Sequence, residues 1–188
     1  MVDIDKDENG LPRAHFLIKR AVGMERDRIR FVEGEVEIRP PGFQDWIPEL
    51  EFREAAGMNN PIRRIIDTDE YSSMKASAWS DAYLSMNIRP PEEMVQEGSR
   101  MPSTYDMFEW LKYRNEMLYR MNPHDRRTAG LWRKFDTGWY IEEGSVMPLG
   151  DNRDNSRDGR YFGPVSLKNV LGRAMFIYWP IGRAGSID

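Results

Sequence analysis

Lys19 stands in an apolar stretch, FLIKRAVG (Phe16–Gly23). Burial among such neighbours disfavours an ammonium, and a neutral amine can take a proton from a hydroxyl as a general base. Serine–lysine pairs are a working variant of hydrolase chemistry. The second place that could do chemistry is GDNRDNSRDGRYFGPV (Gly150–Val165), where Asp151, Arg153, Asp154, Ser156, Arg157, Asp158 and Arg160 crowd into one loop before a strand-like run. A plain solvated loop could carry these residues. A loop that locks itself with ion pairs and positions a reactive group needs the same residues and a partner elsewhere, and Lys19 is such a partner.

Other constellations are weaker. SSMK (Ser72–Lys75) has the Ser-x-x-Lys spacing of penicillin-binding enzymes, but the Ser-Asp-Asn and Lys-Thr-Gly companions are missing. It reads as a polar helix face, and Ser73 is not taken as a nucleophile. The two histidines, His15 and His124, lie far apart with no third ligand pattern, which argues against a zinc site or a Ser-His-Asp triad. The absence of cysteine rules out disulfides and thiolate metal sites.

These residues need a scaffold. The chain has 188 residues, 40% of them hydrophobic and 31% charged, enough for one medium domain or a domain with a large insertion. Its net charge of -4 argues against a general nucleic-acid surface. The longest apolar run, Ala174–Ile181, is interrupted at Pro180 and is far short of the ~20 residues a membrane helix needs. The first residues, MVDIDKDENGLPRAHF, are polar and acidic, unlike a signal peptide.

The order of elements is β, then mostly α, then β. AHFLIKRAVG (Ala14–Gly23) is a strand candidate in which Lys19 and Arg20 point to opposite faces. The alternation of Ile29 and Phe31 before Gly34, and of Val36 and Ile38 after it, predicts a hairpin. Asn60–Pro61 marks a helix start. STYDMFEWLKYRNEMLYRM is the clearest helix, with Ser103 or Thr104 as cap and Met107, Leu111, Leu118 and Met121 on one face. Strand signals return at Gly138–Glu143, Ser145–Gly150 and Gly172–Pro180. The fold class is therefore mainly β, an antiparallel sheet core with a large, mostly helical insertion. Residues 1–43 and 138–188 form the two β parts, and 44–137, with eight of the twelve methionines, forms the inserted subdomain.

HFLIKRAVG, a long insertion, VMPLGDNRDNSRDGRYFGPV and GRAMFIYWP together resemble bacterial type I signal peptidase. That family carries a Lys-Arg-hydrophobic-hydrophobic-Gly block and a late Gly-Asp-Asn-Arg-Asp-Asn-Ser-x-Asp-Ser-Arg block. The likeness covers roughly Ala14–Ile38 and Gly138–Pro180 and leaves out the insertion. It implies a membrane-anchored serine endopeptidase with a Ser-Lys dyad. Such an enzyme removes signal peptides from exported preproteins on the outer side of the bacterial cytoplasmic membrane. It implies Lys19 as general base and Ser156 as the residue that orients it. It also implies Arg20–Asp151 and Asp158–Arg160 as structural ion pairs, and Leu17 and Ile18 on the strand lining the substrate groove. The implied partners are signal peptides and a membrane lipid surface, with no nucleic acid, cofactor or metal.

The chain departs from that pattern in places. The family's nucleophile lies upstream of the lysine in a Ser-Met-x-Pro-Thr segment, and none of the sixteen residues before Leu17 is a serine. The expectation is thus an extracytoplasmic fragment without its nucleophile, inactive alone, with Met1 an added start. The usual Gly-x-Pro-Gly-Asp after the lysine strand reads GMERD, and Gly159 stands where the late block has serine. Two other readings stay open: an inactive signal-peptidase-like binding domain, and a self-cleaving Ser-Lys repressor, for which neither a DNA-binding module nor a cleavage site is visible. The Arg20–Asp151 pair is expected to be buried, so that losing one partner costs several kcal/mol, where an exposed pair would cost only about 0–1 kcal/mol.

Overall fold

The computed structural model describes residues 16–58, 62, 70–103, 105–177, 182 and 185–186. His15, Asn60, Pro61, Thr104 and Tyr178–Pro180 lie outside them.

The hairpin forms where the alternation predicts it. Strands β2 (Arg28–Val32) and β3 (Glu35–Arg39) pair from Arg28↔Arg39 to Val32↔Glu35. Glu33 and Gly34 turn the chain with φ of 49° and 76°, a two-residue reversal whose twist suits the strands. Ile29, Phe31, Val36 and Ile38 are buried on one face. On the other, Arg30 pairs with Glu37, and the guanidiniums of Arg30 and Arg39 flank Trp46. With β4 (Ile47–Pro48) and β5 (Trp139–Tyr140) this makes an antiparallel sheet of order β4-β3-β2-β5.

A second sheet joins β1 (Arg20–Gly23), β6 (Ser145–Leu149) and β7 (Val165–Ser166) in the order β1-β6-β7. Strand β1 is shorter than the expected Ala14–Gly23, because Phe16–Lys19 belong to no strand. The reason lies on the partner strand. Arg20 pairs with Leu149, and the next residue, Gly150, gives its N–H to Asp158 Oδ2 (2.9 Å) and its carbonyl to Arg153 Nε (2.8 Å). Both backbone groups of Gly150 thus turn to the loop. Gly23 ends β1 against Ile29 and Ile141, where a Cβ would overlap both side chains. Strands β8 (Phe176–Ile177) and β9 (Gly185–Ser186) form a third pair.

Helices α1 (Glu49–Ala55), α2 (Tyr71–Ser85), α3 (Glu92–Gly98), α4 (Met107–Met121) and α5 (Arg126–Thr137) all fall between β4 and β5. A one-turn helix, α6 (Gly159–Phe162), follows the polar loop. In α4 the structure corrects two expectations. The cap is Asp106, which accepts from the N–H groups of Phe108 (2.9 Å) and Glu109 (3.3 Å), so Ser103 has no such role. The buried face carries Phe108, Glu109, Tyr113, Glu116 and Met117, while Met107 and Leu111 are exposed. Aromatic rings outcompete the thinner aliphatic stripe because they bury more area. Phe108 meets Phe31 (5.1 Å), Phe135 (5.7 Å) and Tyr161 (5.9 Å) edge-on, so one residue joins the hairpin, α5 and α6. At the edge of this face, Tyr113 packs on α2 around Tyr71, Met74 and Ala78.

Candidate active site

The polar loop is held by arginines pointing inward. Arg153, buried, grips Glu49 at the start of α1 through Nη1–Oε2 (2.7 Å) and Nη2–Oε1 (2.9 Å) while its Nε holds the Gly150 carbonyl. Arg53, one helical turn along α1, adds a looser contact to Glu49 at 3.7 Å. Arg160, also buried, donates to Asp158 from Nε (2.9 Å) and Nη2 (3.2 Å) and to Asp106 from Nη1 (3.4 Å). It also donates to the carbonyls of Arg153 and Ser156 (the latter at 3.4 Å). Buried guanidiniums need this many acceptors, since an unpaired charge in low dielectric is costly. The network fastens the loop to α1 and to the cap of α4.

Arg20 and Asp151 meet in a two-point pair, Nε–Oδ1 and Nη2–Oδ2 both at 2.9 Å. The pair is not buried as expected, because side-chain exposure is 17% for Arg20 and 42% for Asp151. Asp151 is nonetheless held below the usual carboxylate range, chiefly by its hydrogen bonds to Arg20 and against the opposing effect of burial.

Lys19 precedes Arg20, and Gly150 follows Leu149, so the two leave the β1–β6 ladder together. Ser156 comes to the same place. A Cβ on Gly150 would overlap the Ser156 Oγ, which is buried with no hydrogen-bond partner among the described residues. No hydrogen bond or ion pair engages Lys19 among the described residues. Leu17 and Ile18 are exposed. Gly159 packs on Met147 Sδ and the Pro148 carbonyl, where a Cβ would lie 2.5 and 2.8 Å away, so serine has no room there. The GMERD segment turns with Arg26 at φ 70°, closed by Met24 N–H to Asp27 Oδ2 (2.9 Å).

The remaining candidates lie elsewhere. Ser72 and Ser73 both donate to Glu97 of α3 (3.3 and 3.1 Å), and Lys75 covers the rings of Trp79 and Tyr113. SSMK thus clamps α2 to its neighbours rather than forming a plain polar face. His124 is exposed between α4 and α5. No cluster of three metal-ligating side chains occurs among the described residues, and none of their helices is long and apolar enough to cross a membrane. Sequence reasoning missed Glu49 and Asp106. Glu49 and Arg53 look like an exposed i,i+4 pair, and no spacing tells that a distant arginine covers them.

Asp106 has an unusual environment. Burial drives its pKa up to about 6, and Arg160 and the two capping N–H groups offset this only in part. Arg160 is committed first to Asp158, which explains the weak help. The folded protein therefore keeps a proton that the unfolded chain releases near pH 3.8, and stability contributed by this group falls as pH rises from about 4 to about 6. Asp106→Asn, which retains a capping oxygen, removes that slope, by at most about 3 kcal/mol over the window. Denaturant titrations of both proteins at several pH values check it.

A double-mutant cycle separates the two kinds of pair. Glu49→Gln or Arg153→Met alone costs about 3–5 kcal/mol, because either leaves a buried charge uncompensated. The half-open Arg20–Asp151 pair couples by only about 1 kcal/mol. Urea unfolding of the single and double variants measures both.

The family model described as signal peptidase, peptidase S26 matches residues 2–179. A probable thylakoidal processing peptidase 2 of Arabidopsis thaliana is 44% identical over 48 residues, 26% of this chain and 13% of that protein. Signal peptidase I of Leptolyngbya laminosa is 44% identical over 43 residues, 23% of this chain and 21% of that protein. Signal peptidase I of Buchnera aphidicola from Acyrthosiphon pisum is 42% identical over 62 residues, covering 26% and 20%. These matches span about a fifth or less of each relative. No solved structure matches. With the family model spanning nearly its whole length, the chain belongs to the signal peptidase S26 family.

Proposed function

We propose that this chain is the extracytoplasmic part of a type I signal peptidase. Its protein would be bound to the bacterial cytoplasmic membrane and would cut signal peptides from exported preproteins. Residues 1–43 and 138–188 form the catalytic core, and 44–137 the inserted subdomain. The observation that carries the reading is the convergence of Lys19 and Ser156 on Gly150, in a chain of this family.

In this reading a serine Oγ from a segment upstream of Lys19 attacks the scissile carbonyl and gives its proton to the Lys19 amine. The tetrahedral intermediate collapses, and Lys19 passes that proton to the leaving amine. Water then attacks the acyl-enzyme, with Lys19 again taking a proton, and the serine is released. Ser156 orients the Lys19 amine. Its Oγ has no other partner among the described residues and is free to accept from it. The Asp151, Arg153, Asp158 and Arg160 contacts keep the loop in place. Leu17 and Ile18, exposed and in no strand, are open to backbone pairing with the substrate.

A second reading is a domain of this family that binds signal peptides or a partner without cutting them.

The chain alone is expected to leave a preprotein uncut, while the natural membrane protein cuts it. In that protein Lys19→Met lowers kcat by about 10²–10⁴-fold. Ser156→Ala lowers kcat by up to about 10²-fold with KM unchanged, since it disturbs orientation and not binding. Full activity of Lys19→Met, or cleavage by the chain alone that Ser73→Ala abolishes, overturns the assignment. Preprotein capture without cleavage by the natural protein favours the second reading.

A further inference from the structure

Helix α5 has two unlike sides. Its inner side places Phe135 in the aromatic cluster and stacks Trp132 on Tyr119 at 6.2 Å. Its outer side carries Arg126, Arg127, Arg133 and Lys134, all exposed. At about 100° per residue these four cations share an arc of about 120°. Asp136, the helix's only acid, falls outside that arc. Among the described residues no hydrogen bond or ion pair engages any of the four side chains, whereas Arg20, Arg26, Arg30, Arg114, Arg120, Arg153 and Arg160 are all paired. In a chain of net charge -4, a one-sided row of cations without ion pairs among the described residues is a local positive field.

We propose that this outer face of α5 docks on anionic phospholipid headgroups. The inference rests on the membrane-facing part of the reading above and assigns the contact to one helix. Four cations along about 12 Å of helix match a flat array of phosphates. Each basic residue near an anionic leaflet multiplies partitioning by about fivefold. Leu131, at the edge of the row, is exposed and can enter the acyl boundary beside the charges. A nucleic acid fits less well. The two aromatic rings of α5 point inward, so no base can stack on this face, and the acidic remainder of the chain repels a wrapped polyanion.

The test is flotation of the full chain with vesicles of phosphatidylcholine carrying phosphatidylglycerol, against phosphatidylcholine alone. The chain should float with the anionic vesicles only. Binding should fall at least about tenfold as salt rises from about 0.1 to about 1 M, where the screening length shrinks from about 10 to about 3 Å. Arg126→Gln, Arg127→Gln, Arg133→Gln and Lys134→Gln together should reduce binding by about 10²-fold or more, with circular dichroism unchanged because the four side chains are exposed. Arg89→Gln, Lys168→Gln and Arg173→Gln, at exposed positions elsewhere, should bind within about twofold of the parent. Absence of binding to anionic vesicles, equal binding by the quadruple variant, or displacement from vesicles by a single-stranded DNA oligomer at lower concentration overturns the proposal. Because flotation needs no cleavage, its failure leaves the Lys19 assignment standing, and failure of the Lys19 variants leaves the docking face standing.

Discussion

The constraint on which this structure depends is the burial of two arginines in a loop. Arg153 and Arg160 lie inside the protein, and each needs acceptors that water can no longer supply. Glu49, Asp106, Asp158 and the loop's own carbonyls supply them. These acceptors come from α1, from the cap of α4 and from the loop, so satisfying two side chains fixes three parts of the fold against one another. Such networks add little net stability over a well-packed apolar core, but they tolerate few alternative arrangements.

Gly150 is where that constraint reaches the candidate site. Its N–H and carbonyl are both taken by side chains of the loop, which ends the β1–β6 ladder one residue short of Lys19. Lys19 lies just past the end of that ladder, next to the Arg20 that Asp151 grips. Lack of a Cβ at Gly150 lets the Ser156 hydroxyl approach. The same residue thus turns to the loop and seats the serine.

The sequence made the hairpin legible because Ile29, Phe31, Val36 and Ile38 alternate around a Glu-Gly turn, and nothing in the tertiary structure competes with that signal. Its late block was legible as a resemblance, since nine polar or charged residues in close order are hard to place any other way. Helix α4 was legible in extent and not in facing. Periodicity favoured Met107 and Leu111, but the rings of Phe108 and Tyr113 meet partners on the hairpin, α5, α6 and α2, and no local pattern reports those. Glu49 was illegible for the same reason, because burial of a carboxylate depends on an arginine 104 residues distant. The short β1 was missed because its limit is set by what Gly150 does on the facing strand.

Amide hydrogen exchange in Glu49→Gln tests the central claim most directly. Glu49 lies in α1, contacts the loop only through Arg153 among the described residues, and has no place in the chemistry. If the buried network holds the loop, exchange across Gly150–Phe162 should rise by at least about tenfold, while the β2–β3 hairpin keeps its protection. Unchanged exchange in the loop would contradict the account, because Gly150 and Ser156 would then be held without Arg153 and its carboxylate.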